Sequence, residues 1–343
     1  MENLHNMQGY SPKVSVVLPF YNAAETLPAA IQSISDQEYT DFECLMVDNN
    51  SCDKSREIAA QWEAQDPRFI LLEEKRQGVM FASNLGSLEA RGAYIARMDA
   101  DDVSRPCRLR LQSEFLDDHP DVGAVAGLAF HVGDPDKTAG FRRFVEWSNS
   151  VLTYKEIYNR RFIEAPIVNP TAMWRRETME QHGLYLSGEF PEDYEMWLRW
   201  LDRGVKIEKV PEVVLDWHDS EERLTRTHPI YSGQAFFEIK SKYLARWLSV
   251  NNPFHPSVTI WGASRISRRR ARMLEQHGIQ IQAYIDTKKV RQIEKDLTYY
   301  DDLPDAGSLF ILTYIRQMDN RRKIQDFLEK LGYEEGKHYL LVS

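Results

Sequence analysis

The sequence predicts an α/β protein: a mostly parallel central sheet flanked by helices, followed by a second, smaller α/β unit. Three observations predict it. Short apolar runs alternate with helical patterns through the first hundred residues. Polar clusters fall directly after those runs, at the strand ends where open parallel sheets bind ligands. A stretch rich in proline and asparagine, Asn251-Asn-Pro-Phe-His-Pro256, precedes a second round of the same alternation.

Taken in order, Val14-Ser-Val-Val-Leu18 reads as a buried strand and residues 23–37 as an amphipathic helix. Residues 43–47 form the second strand, 55–63 the second helix, 69–73 the third strand, 78–91 a helix and 94–98 the fourth strand. The polar clusters that follow these strands are Tyr21-Asn22, Asp48-Asn49-Asn50, and Asp99 to Asp102. The middle, residues 122–248, is less regular and carries aromatic runs and one sharply acidic helix start, Phe190-Pro-Glu-Asp-Tyr-Glu-Met-Trp-Leu198. Residues 234–250 are helical and lead into the linker. Beyond it come a strand at 258–262, a basic helix at 266–277, a strand at 279–285 ending in Asp286, a strand at 309–313, a helix at 318–331 and a last strand at 339–342. The expected domains are 1–250 and 257–343.

A chain of 343 residues has room for one large and one small domain. A net charge of −9 gives no electrostatic footprint for duplex nucleic acid, so no nucleic-acid partner is expected. Cys44, Cys52 and Cys107 match neither a zinc spacing nor a disulfide framework, which suits a reducing cytoplasm. Residues 1–12 lack the apolar core of a signal peptide, and no apolar run approaches the roughly 20 residues that span a bilayer. A cytoplasmic location is expected, with peripheral association at the inner face of a membrane as its variant.

The strongest chemical signal is Arg97-Met98-Asp99-Ala100-Asp101-Asp102, directly after a strand. Three carboxylates within four residues repel one another unless a cation sits between them. A hard divalent ion, Mn2+ or Mg2+, with oxygen ligands is the natural partner. The plainer alternative is a solvated acidic turn or a helix-capping cluster.

In the same order along the chain stand Val14-Ser-Val-Val-Leu-Pro-Phe-Tyr-Asn22, Val47-Asp-Asn-Asn-Ser51, Ala82-Ser-Asn-Leu-Gly86, the 91–102 segment that ends in the acidic run, and Pro191-Glu-Asp-Tyr-Glu-Met-Trp-Leu198. Over residues 13–227 this set resembles glycosyltransferase family 2, whose members share the GT-A nucleotide-diphospho-sugar transferase fold. The resemblance implies an inverting, metal-dependent transfer from a nucleoside-diphosphate sugar, with a UDP-sugar favoured, to a glycan or lipid-linked acceptor. It implies that Pro19, Tyr21, Asn22, Asp48 and Asn49 lie at the nucleotide and that Asp101 ligates the metal. Asp99 would stand near ribose and metal, Asp193 would be the general base, and His218 would close the site near metal and diphosphate. Asp193 also suits that role chemically, since a carboxylate must take the acceptor hydroxyl's proton; the alternative is a first-turn acid held by the helix dipole. Arg223 and Arg226 are placed to reach phosphates or to pair with Glu221 and Glu222. The chain departs from the family pattern at Asn49, where many relatives have an acid, at Asn169, where relatives with this acidic string often have histidine, and near Ser83, where an arginine is common.

In the second unit, Gly262-Ala-Ser-Arg-Ile-Ser267 follows a strand and opens a helix, and Asp286 ends the next strand. This is similar to a degenerate Rossmann fingerprint. Serines replace the glycines that allow close approach to a pyrophosphate and close helix packing, which argues against ordinary NAD binding. The run Arg268-Arg-Arg270, with Arg265 and Arg272, reads as a solvated helix face or as an attractor of anionic lipid or polymer. Two other classes compete with the transferase reading. A nucleotidyltransferase would show a basic, Gly-rich loop after the first strand, which Pro19-Phe-Tyr-Asn22 is not. A non-catalytic nucleotide-sugar-binding protein would not need Asp99, Asp101 and Asp193 all intact.

Overall fold

The computed structural model describes residues 11–134, 137–219, 223–287 and 296–343. These group into two compact units. The first runs to Tyr154 and adds Ile167–Gly188 and Arg203–Arg223; the second comprises Lys155–Pro166, Glu189–Asp202 and Leu224–Ser343. The units interleave along the chain, whereas the sequence suggests a single division at residues 251–256.

The strands of the first unit are β1 (Val14–Phe20), β2 (Phe42–Asp48), β3 (Phe69–Glu73), β4 (Tyr94–Arg97), β5 (Val103–Ser104), β6 (Val122–Val132), β7 (Met173–Arg175) and β8 (Lys206–His218). They form a sheet in the order β3-β2-β1-β4-β7-β6-β8-β5. The half built from β3, β2, β1 and β4 is parallel. Every residue of β1 and β2 is buried, as expected of strands covered on both faces. Beyond β4 the sheet is mixed: β7 runs antiparallel to both β4 and β6, β8 is parallel to β6, and β5 is antiparallel to β8.

Two local features fix this half of the sheet. The helix Val79–Glu89 carries Gly86, where a Cβ would fall 2.6 Å from Val17 and 3.0 Å from Val47, so only glycine allows the helix to lie this close to the strands. Glu43, a carboxylate inside β2, is satisfied on several sides. Ser15 Oγ donates to it at 2.7 Å, as does the Arg91 backbone N–H, and the Arg91 guanidinium pairs with it at 2.5 Å. A buried charge left without such partners would be strongly destabilising.

The first helix begins at Leu27, four residues later than the periodicity suggests. Residues 23–26 form a turn instead. The Ala23 and Ala24 backbone N–H groups donate to Ser55 Oγ and Asp53 Oδ2, tying this segment to the start of the Ser55–Gln65 helix.

The second unit contains a wholly parallel sheet of β9 (Ser257–Trp261), β10 (Gln280–Asp286), β11 (Asp296–Tyr299), β12 (Ile311–Tyr314) and β13 (Tyr339–Val342). Its order, β11-β10-β9-β12-β13, is that of a doubly wound sheet with the switch point between β9 and β12. The long helix Gly233–Asn251 belongs to its core: Phe237, Ile239, Leu244, Trp247 and Leu248 cluster with Val258, Ile260, Leu312, Leu340 and Val342. Tyr194 and Leu198 of the Glu192–Asp202 helix complete the same cluster.

The loop after β9 is closed by its own side chains. Ser264 caps the Arg265–Ala271 helix by accepting the Ser267 N–H at 3.1 Å, Ser267 Oγ donates to the Tyr314 carbonyl at 2.9 Å, and Asp286 Oδ2 accepts the Ala263 N–H at 2.9 Å. Among the described residues, no helix is long and apolar enough to cross a membrane.

Candidate active site

The acidic run lies directly after β4, where the strand leaves the sheet. Ligand oxygens of Asp99, Asp101 and Asp102 all lie within 4.8 Å of one another. Asp99 and Asp101 are partly exposed, while Asp102 is buried. Asp102 Oδ1 accepts the backbone N–H of His218, at the end of β8, at 2.9 Å. Its other oxygen, Oδ2, is buried without a hydrogen-bond partner, as is His218 Nδ1. Burial, with Asp101 and Asp99 as like-charged neighbours, pushes the Asp102 carboxyl well above the usual carboxylate range, and burial with the Asp99 charge raises Asp101.

Cations already crowd this cluster. Arg97, buried in β4, pairs with Asp99 at 2.5 Å. Arg223 stands 4.0 Å from Asp99, 3.8 Å from Asp101 and 3.9 Å from Asp102. It stacks 4.0 Å above the Trp217 ring and donates to the His218 carbonyl at 2.7 Å. Beneath the cluster, the fully buried Arg108 donates to the Arg97 carbonyl at 2.7 Å, and burial lowers its pKa to about 9.

The residues expected at the nucleotide gather at the ends of β1 and β2. Pro19 lies within β1, opposite Val47. Tyr21 is 52% exposed. Asn22 adopts a positive φ of 47° and accepts the Cys52 N–H at 2.8 Å, joining the two strand ends. Asp48 is buried, accepts the Ser51 N–H at 3.0 Å and pairs with Arg56 at 3.1 Å. The Asn49 amide is taken up by the backbone: Nδ2 donates to the carbonyls of Glu74 and Arg76 at 2.9 and 2.8 Å, and Oδ1 accepts the Gly78 N–H at 2.8 Å.

Of the metal set suggested by resemblance, Asp99 and Asp101 come together with Asp102, and His218 borders them through its backbone. Asp193 belongs to the second unit, half-buried in the first turn of the Glu192–Asp202 helix, with Oδ1 accepting the Tyr194 N–H at 2.6 Å. The neighbouring acids are buried: Glu192 accepts from Tyr231 at 2.7 Å, while Glu195 pairs with Arg199 at 3.1 Å and accepts from Tyr243 at 2.6 Å. Asn169 accepts the Tyr185 hydroxyl at 3.2 Å. Glu221 and Glu222 lie outside the described residues. Sequence reasoning quoted Arg97 with the acidic run without giving it a role, and did not single out Arg108. Their only signal was a cation directly before the acidic run and another shortly after it.

The profile described as glycosyl transferase family 2 matches residues 15–183. Among curated proteins, the chain is 26% identical over 204 residues to the amylovoran biosynthesis glycosyltransferase AmsE of Erwinia amylovora, covering 59% of this chain and 74% of AmsE. It is 25% identical over 240 residues to the O-antigen biosynthesis glycosyltransferase WbnJ of Escherichia coli, covering 68% and 89%. Among solved structures, the crystal structure of S. aureus TarS in complex with UDP-GlcNAc shares the fold with a TM-score of 0.55 at 16% identity, over 77% of this chain and 71% of TarS.

Proposed function

Residues 15–183 belong to glycosyl transferase family 2, and from that premise we propose an inverting, metal-dependent enzyme. It moves a sugar from a nucleoside-diphosphate donor, a UDP-sugar by preference, to a hydroxyl of a glycan or lipid-linked acceptor. The names of AmsE and WbnJ support a place in cell-surface polysaccharide synthesis.

The observation that carries the reading is the Asp99, Asp101 and Asp102 cluster, with a buried Asp102 oxygen that accepts no hydrogen bond. Such a donor set fits a hard divalent cation. Asp99, Asp101 and Asp102 would hold it, with His218 alongside, and when bound it supplies charge neutralisation for the departing diphosphate. Arg223 is close enough to the same charges to share that work.

The remaining chemistry falls to the chain's own groups. Asp48 and Asn22 shape the nucleotide end, and Asn49 acts through the 74–78 loop that it holds. As the acceptor oxygen forms its bond to the anomeric carbon, its proton passes to the Asp193 carboxylate. The bond from that carbon to the diphosphate oxygen breaks, and its electron pair leaves with the nucleoside diphosphate. One displacement at one carbon inverts its configuration. Asp193 is favoured over Glu192 and Glu195 because those two are buried and held by Tyr231, Arg199 and Tyr243.

Calorimetric titration of UDP in the presence of Mn2+ tests the site. Wild type should bind and Asp101→Ala should not. Undiminished Mn2+-dependent binding in the variant overturns the metal assignment, and a product of retained anomeric configuration by NMR overturns the displacement.

A further inference from the structure

The segment from Ser257 onward differs in charge from the rest of the chain. Residues 257–343 carry 15 Lys and Arg against 12 Asp and Glu, a net of +3 in a chain of net −9. The excess is concentrated. Between Arg265 and Arg272 stand five arginines, and no acid occurs from residue 256 to residue 274.

The fold places this run at the switch-point end of the second sheet. The Arg265–Ala271 helix starts just after β9, and Ser267 bonds to the Tyr314 carbonyl at the end of β12, which brings Arg316 to the same edge. Arg270 lies 4.0 Å above the Phe237 ring and Lys240 lies 4.2 Å from the same ring, so two cations share one aromatic side chain. Burial, together with the nearby charges of Arg316 and Arg269, lowers the pKa of Arg270. Among the described residues, none of Arg265, Arg269, Arg270 and Arg316 forms an ion pair with an acid. Glu164 supplies Arg270 with a partial counter-charge, and the like charge that remains in excess favours the approach of an anion.

One apolar side chain selects among anions. Ile266 is 58% exposed and shares the exposed side of the helix with Arg265 and Arg269. A solvated polymer or a free phosphate gains nothing from an exposed aliphatic chain among arginines. A bilayer surface offers phosphate to the cations and an acyl boundary to the isoleucine. We infer that the face formed by Arg265, Ile266, Arg269, Arg270 and Arg316 is a docking surface for an anionic lipid bilayer. The surface belongs to the second unit, so it stands or falls independently of the chemistry at Asp99, Asp101 and Asp102.

Co-sedimentation of the full chain with phosphatidylcholine vesicles, with and without 30% phosphatidylglycerol, tests the inference. The protein should pellet with the anionic vesicles only, and less so as salt is raised. Each cation near such a surface contributes a factor of roughly fivefold in partitioning. The triple variant Arg265→Gln, Arg269→Gln, Arg316→Gln should therefore bind at least ~10-fold more weakly, with unchanged thermal unfolding because all three side chains are exposed. Ile266→Ser keeps the charge and should still weaken binding several-fold. Equal binding to neutral vesicles, or undiminished binding by the triple variant, overturns the inference. So does an Ile266→Ser protein that binds vesicles normally while dextran sulfate competes fully, since the face would then be a general polyanion surface.

Discussion

Replacing Arg223 with glutamine should destabilise the metal-free protein, and a divalent cation should reverse the effect. The guanidinium stands 3.8 to 4.0 Å from three carboxylates and its side chain is 9% exposed. At that separation and an effective dielectric near 20, each attraction is about 4 kcal/mol before desolvation is subtracted. Asp99 and Asp101 are 26% and 35% exposed, so solvent weakens two of the three. Burial of the arginine offsets much of the rest. A net loss of about 2 kcal/mol remains, a fall in Tm of roughly 3 °C for a chain of this size. The assay is thermal unfolding in EDTA and in millimolar Mn2+ or Mg2+. Wild type should gain modestly from the ion, whereas Arg223→Gln should lose stability in EDTA and recover most of it with metal, because the ion then replaces the counter-charge that Arg223 gave to Asp101 and Asp102. An unchanged Tm in EDTA, or a loss that metal does not restore, would refute the view that arginine and cation neutralise the same charges.

Three further outcomes follow from the geometry. Asp193→Asn should lower turnover by about 10²–10⁴-fold with little change in donor affinity, because the amide cannot take the acceptor proton; near-normal product formation removes Asp193 from the mechanism. A fragment ending at Val250 should be unstable or aggregate, since it exposes Phe237, Ile239, Leu244, Trp247 and Leu248. At about 2 kcal/mol per side chain this is about 10 kcal/mol, comparable to the whole stability of a domain, and a soluble fragment with native circular dichroism and melting would contradict it. Lys240 is fully buried and its pKa is lowered to about 8 from its ordinary 10.5. The folded state disfavours the charged amine, so stability should rise by up to about 3 kcal/mol as pH climbs from about 8 to 10.5, and this contribution should be level below about 8, where both states carry the proton. Denaturant unfolding should show this slope in wild type and lose it in Lys240→Met, and equal slopes in both would exclude Lys240 as its source.

The parallel half of the first sheet was readable because its strands are covered on both faces, which leaves unbroken apolar runs such as Val14-Ser-Val-Val-Leu18. The mixed half was not. Its β7 is three residues long and is fixed by antiparallel partners from distant parts of the chain, which no local periodicity records. The acidic run was legible as a unit, but the sequence did not reveal that Asp102 would be the buried member, because that depends on β8 presenting the His218 N–H to it. Asn49 shows the same limit. Its position at the end of β2 was evident, yet its amide turns away to three backbone groups of the 74–78 loop, and only the path of that loop could show it. The acidic helix start at Glu192 was also plain in the sequence, whereas its packing with the Gly233–Asn251 helix rests on long-range apolar contacts such as those of Tyr194 and Leu198.

The self-closed loop after β9 sets a condition for anyone wishing to redesign the second unit as a nucleotide carrier. Restoring glycine at positions 264 and 267 would follow the textual fingerprint and still fail. Glycine at 267 would sever the link to the Tyr314 carbonyl that holds the helix against β12, and glycine at 264 would remove the helix cap. Asp286 would remain bound to the Ala263 N–H, with the carboxylate meant for a ribose occupied by the loop meant for the phosphates. A successful graft would have to re-route the backbone between Gly262 and Arg265 first, and only then exchange the side chains.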